Sequence, residues 1–171
     1  MKLLNAIHSA DLHTFDWCLK RKHRLFLIGF SRWISRTADG YLYLIAAVFF
    51  GLINQWQIIY LLALGFVLER SLYFVLKNKL KRNRPQQAIA GFKSIIEPSD
   101  QFSFPSGHTS AAFLTMGIIS AFYPALGIIL LVWAIWVGMS RVMLGVHFPT
   151  DSVAGAILGY SISQLCLNLM L

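Results

Sequence analysis

The chain has 171 residues, of which 57% are hydrophobic and 13% are charged, and its formal net charge at pH 7 is +8. Soluble domains carry about 25% charged residues, so the composition excludes an ordinary soluble protein and indicates an integral membrane protein. With no soluble domain to present a groove, the basic balance does not indicate a nucleic-acid partner. Cys18 and Cys166 match no metal or redox spacing, which predicts thiols rather than a disulfide or a metal site.

The beginning of the chain mixes apolar and polar positions. Residues 1–22 predict an interfacial amphipathic helix, and the basic run at 20–24 predicts a membrane-flanking anchor. Residues 23–36 place their arginines on one helical face, and they are either a short first span or a second interfacial helix. We therefore divide the chain into an N-terminal region at 1–36 and a single membrane-embedded domain at 37–171.

Five charge-poor stretches follow, and with their neutral flanks they reach or approach the roughly 20 residues of a spanning helix. They predict helices near residues 40–54, 57–76, 106–122, 125–142 and 149–170. The expected fold is an all-α, polytopic membrane helical bundle of about six helices, five of them clear spans and one short or interfacial, with an amphipathic N-terminal helix. Gly155 and Gly159 have a spacing that permits close contact between helices. Glu69 and Arg70 indicate a buried polar contact inside the second span, with a partner that the sequence does not identify.

The last part of the chain is almost free of charge. Residues 101–171 contain two charged side chains, Arg141 and Asp151, and two histidines, His108 and His147. Ionisable groups in membrane helices are costly and usually functional. From the polar loop after the second span, one helix crosses the membrane and the next crosses back. Counting these crossings (hairpin counting) places all four groups on the same membrane face. They form the candidate active site.

A basic motif, Lys77-x6-Arg84-Pro85, opens that polar loop. If the helix continues through it, Lys77 and Arg84 lie two turns apart on one face. Pro85 disfavours a helical conformation at Arg84. Two fixed cations suit a phosphate, although a basic stretch beside a membrane also serves as a headgroup anchor.

A second motif, Pro105-Ser106-Gly107-His108, stands directly before an apolar helix. Ser106 suits an N-cap position, and Gly107 lets a ligand approach the backbone. The exposed N–H groups and the positive helix end favour an anion. The alternative is an ordinary capped helix start with an interfacial histidine.

The third motif is Ser140-Arg141-x5-His147-x3-Asp151. Pro149 predicts a helix that starts just after the histidine, with Asp151 in its first turn. There Asp151 can accept a hydrogen bond from Nδ1–H of His147, which leaves Nε2 free as a nucleophile. The alternative is a histidine–aspartate pair with a purely structural role.

Together the three motifs resemble the type 2 phosphatidic acid phosphatase family in order and spacing, over roughly residues 40–171. The resemblance implies a six-helix membrane phosphatase that uses no cofactor and no metal. It implies that His147 attacks phosphorus to form a phosphohistidine, that Asp151 orients it, and that His108 protonates the leaving oxygen and then activates water. The phosphate oxygens would be held by Lys77, Arg84, Ser106, Gly107 and Arg141.

The leading hypothesis is a lipid phosphate or diphosphate phosphohydrolase, with phosphatidylglycerol phosphate, phosphatidic acid, undecaprenyl diphosphate and a lipid A phosphate as candidate substrates. The motifs also resemble vanadium-dependent haloperoxidases, but those are soluble helical proteins. A metal-dependent membrane hydrolase would use His108, His147 and Asp151 as zinc ligands, against the repulsion of the surrounding cations. A non-enzymatic transporter or binding protein for an anionic lipid is the third class.

The resemblance to bacterial members implies an inner-membrane protein whose active site faces the extracytoplasmic side. The strongly basic loop after the second span does not follow the positive-inside pattern, and we attribute its charge to phosphate binding. The side on which the amino terminus lies depends on whether residues 23–36 span. The oligomeric state is left open.

Overall fold

The computed structural model describes residues 2–19 and 24–170. These residues form eight helices and contain no strand. The helices are α1 (Lys2–Leu19), α2 (Arg24–Thr37), α3 (Tyr41–Leu52), α4 (Trp56–Leu80), α5 (Pro85–Ala88), α6 (Gly107–Phe122), α7 (Pro124–Met143) and α8 (Pro149–Met170). The predicted all-α bundle is confirmed. The basic run predicted as an anchor lies mostly outside the described residues.

Helix α4 ends before the second cation of the basic motif. Lys81 adopts a left-handed conformation with φ 47°, which stops the helix after Leu80. Arg84 is extended (φ −75°, ψ 159°) ahead of Pro85, as the proline predicts. The prediction that helical periodicity places Lys77 and Arg84 on one face is therefore wrong, and a turn brings them together instead.

Three helices, α4, α7 and α8, are long and apolar enough to cross a membrane, and α3 is a shorter apolar helix. Helix α6 has 16 residues. It packs against α4, α7 and α8, and most of its side chains are buried. Large apolar side chains instead point outward from the surrounding helices, and Val67, Ile128 and Ile157 are 64%, 69% and 62% exposed. An apolar surface of this kind faces lipid, so the protein is an integral membrane protein.

Helices α6 and α8 approach each other closely where the two glycines of α8 lie. A Cβ atom on Gly155 would fall 2.5 Å from the carbonyl oxygen of Ser106, and one on Gly159 would fall 2.0 Å from that of Ser110. The predicted close helix contact is confirmed. It places the N-terminal ends of α6 and α8 side by side at one end of the bundle.

The two N-terminal helices lie against this bundle. Helix α2 packs along α7 with Ile34 buried, and its 14 residues rise about 21 Å, less than the about 30 Å of a hydrocarbon core. Helix α1 contacts α7 and α8. On α1, His13 and Thr14 are exposed while Asp11 and Phe15 are buried, so the buried side of this amphipathic helix includes a carboxylate.

Candidate active site

A cavity of about 880 Å³ opens at the end of the bundle where α2 and α3 meet α4, α6 and α7. Its lining includes four of the residues predicted from the motifs, together with Asp100. Those four residues are Gly107, His108, Arg141 and His147. The predicted groups therefore share one end of the bundle, as hairpin counting indicates.

His147 lies on the short turn between α7 and α8. Gly145 turns the chain with φ 78°, and a Cβ atom there would fall 2.6 Å from the ring of Phe92. The imidazole is 2% exposed and its Nε2 atom lies 3.5 Å from Nη1 of Arg84. The same Nη1 donates to the carbonyl of Val146 at 2.6 Å. Arg84 thus holds the residue before the histidine and lies within hydrogen-bonding distance of Nε2 of His147.

Asp151 lies on the other side of the imidazole. Its Oδ2 atom is 3.7 Å from Nδ1 of His147, longer than the about 3 Å of an N–H···O bond, so the predicted hydrogen bond is not formed in this structure. Among the described residues Nδ1 has no hydrogen-bond partner. Oδ2 accepts instead from the backbone N–H of Phe148 at 2.8 Å, and Oδ1 accepts from Arg82 at 2.7 Å. These two bonds hold the carboxylate at the ion-pair distance.

Burial lowers the pKa of His147 to about 4, because the protonated imidazole loses its hydration. Arg141 and Arg84 lower it further, and Asp151 opposes them. The imidazole is therefore neutral at neutral pH. A neutral imidazole with an available Nε2 lone pair is a nucleophile.

Lys77 and Arg84 converge on one anion, the side chain of Asp100. Lys77 Nζ lies 2.8 Å from Oδ1 of Asp100, and Arg84 Nη2 also donates to this oxygen. The hydroxyl of Tyr73 donates to Oδ2 at 2.7 Å. Burial would raise the pKa of Asp100, but the hydrogen bonds from Lys77 and Tyr73 lower it to about 2. Two buried cations and a hydroxyl thus form a cradle for an anion, which the carboxylate occupies here.

Ser106 and Gly107 form the start of α6 as the motif predicts, with one difference. Ser106 is the N-cap residue, but its hydroxyl bonds Thr109 Oγ1 at 2.9 Å rather than a backbone N–H. Its own N–H donates to the carbonyl of Asp151 at 2.9 Å. A Cβ atom on Gly107 would fall 2.9 Å from the ring of Tyr73, so glycine makes room for the tyrosine that reaches the cradle.

His108 and Arg141 face the same cavity from α6 and α7. Nε2 of His108 lies 2.8 Å from Oδ1 of Asp39, in the turn between α2 and α3. Arg141 Nη1 donates to the hydroxyl of Ser35 at 2.6 Å, whereas its Nε has no partner among the described residues. Both predicted residues are thus supported by the N-terminal part of the chain.

The adjacent charges inside α4 join that helix to α6. Glu69 is fully buried and accepts from Arg70 Nε at 2.5 Å and from the hydroxyl of Ser110. Arg70 also donates to the carbonyl of Gly107 at 3.1 Å. The partner that the sequence does not identify is therefore the first turn of α6.

Several residues at the site were not predicted from the motifs. They are Asp11, Asp39, Tyr73, Arg82 and Asp100. One signal was available, since the whole chain has seven acidic residues against fifteen Lys and Arg. Among the described residues, five acidic side chains pair with cations or histidines around the site, namely Asp11, Asp39, Glu69, Asp100 and Asp151. In a strongly basic membrane protein, the few acidic side chains are therefore candidates for buried partners of the cations and histidines at a functional site.

Metal-ligating side chains do not cluster in the part of the chain that the structure describes. No group of three or more His, Cys, Asp or Glu residues there is placed to hold a metal ion. In particular, the zinc set of His108, His147 and Asp151 is not assembled. The cations Arg82 and Arg84 lie within 3.5 Å of atoms of Asp151 and His147, where they would repel a metal.

Comparison of the sequence with known proteins finds relatives that are named as a phosphatase and as a transport permease. The chain is 40% identical to phosphatidylglycerophosphatase B of Bacillus subtilis over 110 residues, 58% of this chain and 51% of that protein. It is 32% identical to the bacitracin transport permease protein BcrC of Bacillus licheniformis over 127 residues, 74% of this chain and 55% of that protein. The matched region thus spans about half the length of these relatives.

Two solved structures match the fold over most of this chain. The crystal structure of LpxE from Aquifex aeolicus matches with a TM-score of 0.83 and 27% identity, covering 92% of this chain and 94% of that one. The phosphatidylglycerolphosphate phosphatase from Bacillus subtilis matches with a TM-score of 0.81 and 31% identity, covering 96% and 86%. The family model described as the PAP2 superfamily matches residues 54–171, which hold all three motifs. The chain is therefore a member of the PAP2 superfamily.

Proposed function

We propose that this protein is a membrane phosphatase that hydrolyses a lipid phosphate or diphosphate through a phosphohistidine at His147, without a metal. One observation carries the proposal. The neutral, buried imidazole of His147 lies between the Asp151 carboxylate and the Arg84 guanidinium, at the wall of a cavity that also holds His108 and Arg141. A nucleophile, a second histidine and fixed cations are what phosphoryl transfer needs at one place.

Binding begins at the anion cradle. The phosphate of the substrate takes the place of the Asp100 carboxylate against Lys77 and Arg84, and Asp100 moves aside. Arg141, whose Nε is unpartnered among the described residues, and the start of α6 at Ser106 and Gly107 hold the remaining oxygens. These donors stabilise the charge that spreads over the phosphoryl oxygens in the transition state.

Nε2 of His147 then attacks phosphorus, and the bond between phosphorus and the leaving oxygen breaks; this oxygen stays on the lipid alcohol or, for a diphosphate, on the lipid monophosphate. His108 gives its proton to the leaving oxygen, while Asp151 stabilises the charge on the phosphorylated imidazole. In the second half His108 takes a proton from water, whose oxygen attacks phosphorus and releases His147. Inorganic phosphate leaves, and the resting state returns.

The cavity suits a lipid headgroup because its lining combines polar and apolar side chains. Arg70 and Arg141 line it beside Tyr43 and Phe66, whose rings lie 5.2 Å apart. The Bacillus subtilis relative is named phosphatidylglycerophosphatase B, and a further relative, from Rhizobium johnstonii and 33% identical over 53% of this chain and 39% of that protein, is named lipid A 1-phosphatase. Phosphatidylglycerol phosphate, phosphatidic acid, undecaprenyl diphosphate and a lipid A phosphate are therefore the substrates to test.

The decisive experiment is phosphate release from this panel of lipids by the purified protein, with and without His147→Ala. We expect release from at least one lipid by the wild type and none by the variant, and we expect His13→Ala, which changes an exposed histidine on α1, to be fully active. An acid-labile, alkali-stable phosphoryl group should be trapped on the wild type. Activity that is lost with a chelator and restored by zinc would contradict the mechanism.

A carrier of anionic lipids is the second candidate, because one relative is named a transport permease. His147→Ala separates the two, since a carrier that performs no chemistry would keep binding and moving lipid. We also propose a bacterial inner-membrane location with the site facing the extracytoplasmic side. Because α8 starts at the site, a reporter fused after Met170 should then lie in the cytoplasm.

A further inference from the structure

The guanidinium of Arg82 lies between two buried carboxylates. Its Nη2 atom donates to Oδ2 of Asp11 at 2.6 Å, and its Nη1 atom donates to Oδ1 of Asp151 at 2.7 Å. Asp11 is 2% exposed and Asp151 is fully buried. Buried carboxylates need a compensating charge, and the planar fork of one arginine serves both. An anchor for lipid headgroups would not be directed inward in this way.

Asp11 is also bonded to the start of α8. Its Oδ1 accepts from the N–H of Thr150 at 3.0 Å, and its Oδ2 accepts from the hydroxyl of the same residue at 2.5 Å. Arg82 donates to that hydroxyl at 2.7 Å and lies over the ring of Phe148, 4.6 Å from its centroid. The network therefore contacts the turn that carries the proposed nucleophile at two residues after His147: Arg82 lies over the ring of Phe148, and Asp11 and Arg82 bond Thr150.

Packing reinforces these bonds. Phe15 lies one helical turn after Asp11 on the buried side of α1 and is 1% exposed. Its ring contacts those of Phe148 and Phe92, with centroids 5.7 Å and 5.1 Å away. Helix α1 thus covers the turn with one carboxylate and one aromatic ring.

We propose that Asp11 and Arg82 are positioning residues for His147, so that the amphipathic helix α1 is part of the catalytic apparatus rather than only a membrane anchor. The inference rests on the proposed function. Asp11 fixes the guanidinium, the guanidinium fixes Oδ1 of Asp151, and Oδ2 then faces Nδ1 of His147 at 3.7 Å. Neither Asp11 nor Arg82 lines the cavity, so their loss should slow the chemical step and leave substrate binding alone.

The test compares kcat and KM for phosphate release in wild type, His147→Ala, Asp11→Asn, Arg82→Gln and Arg82→Lys. Hydrogen-bond partners of metal-ligating side chains typically contribute about 10- to 100-fold, and we take the same range for the partners of the Asp151–His147 pair. We therefore expect about a tenfold lower kcat for Asp11→Asn and about a hundredfold lower kcat for Arg82→Gln, both with unchanged KM, and partial rescue by Arg82→Lys. The double variant Asp11→Asn/Arg82→Gln should be no worse than Arg82→Gln alone, because the two act as one unit.

Matched controls are Asp16→Asn, an exposed carboxylate on the same helix, and Lys79→Gln, an exposed cation near the end of α4. Both should keep wild-type kcat. A fall in melting temperature with unchanged kcat per folded molecule would make the network merely structural and would overturn the proposal. The proposal would also be overturned if Asp16→Asn and Lys79→Gln lowered kcat as much as Asp11→Asn and Arg82→Gln do.

A measurement without turnover separates this inference from the proposed function. Carbethoxylation of His147, followed by peptide mass spectrometry across pH, reports the protonation of its imidazole. The charged groups around that imidazole are Arg84, Arg141 and Asp151. We expect Arg82→Gln to move the midpoint upward, since Asp151 loses a compensating cation, and Lys79→Gln to leave it unchanged. An unmoved midpoint in Arg82→Gln overturns the inference even if no lipid in the panel is hydrolysed.

Discussion

Nε2 of His108 lies 2.8 Å from Oδ1 of Asp39, a residue of the turn that joins α2 to α3. The family model matches from residue 54 onward, so Asp39 belongs to a part of the chain outside the matched region. Its carboxylate orients the imidazole that we propose as acid and base. The part of the chain before residue 54 therefore supplies a partner to each of the two histidines, Asp39 directly to His108 and Asp11 through Arg82 to the Asp151 carboxylate beside His147.

Replacing Asp39 should impair proton transfer to the leaving group. We expect Asp39→Ala to lower kcat for a lipid phosphate by about tenfold, a part of the roughly 10²–10⁴-fold that a general acid contributes. With p-nitrophenyl phosphate, whose leaving group needs no proton, the loss should be much smaller. Glu97→Ala, an exposed acid on the same cavity, is the control. Equal losses on both substrates would contradict a role in protonation.

Asp100 should compete with phosphate for the cradle. Because its carboxylate bonds Lys77 and Arg84, Asp100→Asn removes a negative charge that the substrate must displace. We expect inorganic phosphate to inhibit this variant at concentrations lower by about tenfold, the equivalent of about 1.4 kcal/mol. Weaker inhibition would mean instead that Asp100 holds the two cations in place for the substrate.

The acid limb of the pH profile should report His147. Its pKa is lowered from 6.5 to about 4, so the imidazole is neutral above about pH 4 and becomes protonated, and inactive, as the pH falls through that value. We expect kcat/KM to fall with a midpoint near pH 4 once the titration of the substrate phosphate, measured by ³¹P NMR, has been divided out. A midpoint near 6.5 would show that the nucleophile is hydrated in the free enzyme.

The contact between α6 and α8 should tolerate no added methyl group. A Cβ atom on Gly159 meets the Ser110 carbonyl carbon at 2.8 Å as well as its oxygen, and both are backbone atoms that cannot move aside. We expect Gly159→Ala to destabilise the protein by about 1–3 kcal/mol, measured by thermal unfolding in detergent. Gly29→Ala on α2, where no atom lies within 4 Å, should be neutral or slightly stabilising. Equal melting temperatures would contradict the close packing.

The positions of the helices and the convergence of His108, Arg141 and His147 could be predicted because both follow from local patterns. Apolar runs indicate spans, and hairpin counting sets the end at which each motif lies. The partners could not be predicted in this way. Asp11 meets Thr150 across 139 positions of the chain, and no local signal announces such a pair.

The prediction that Lys77 and Arg84 share one helical face is wrong for another reason. The sequence between them contains no glycine or proline to stop a helix, so the left-handed conformation of Lys81 had no local marker. The helix ends there, and the turn that follows brings Arg84 beside His147. Tertiary contacts, rather than local sequence, set the conformation at the end of α4, and such departures from local rules are expected at functional sites.

The bond between α1 and the start of α8 has a consequence for biogenesis. Membrane proteins are inserted as they are synthesised, and here Asp11 of α1 bonds to Thr150, which is translated 139 residues later. Until Thr150 and Asp151 leave the ribosome, the network around Asp11 and Arg82 lacks its other half. The proposed phosphatase site is therefore completed only after the start of α8 has been translated.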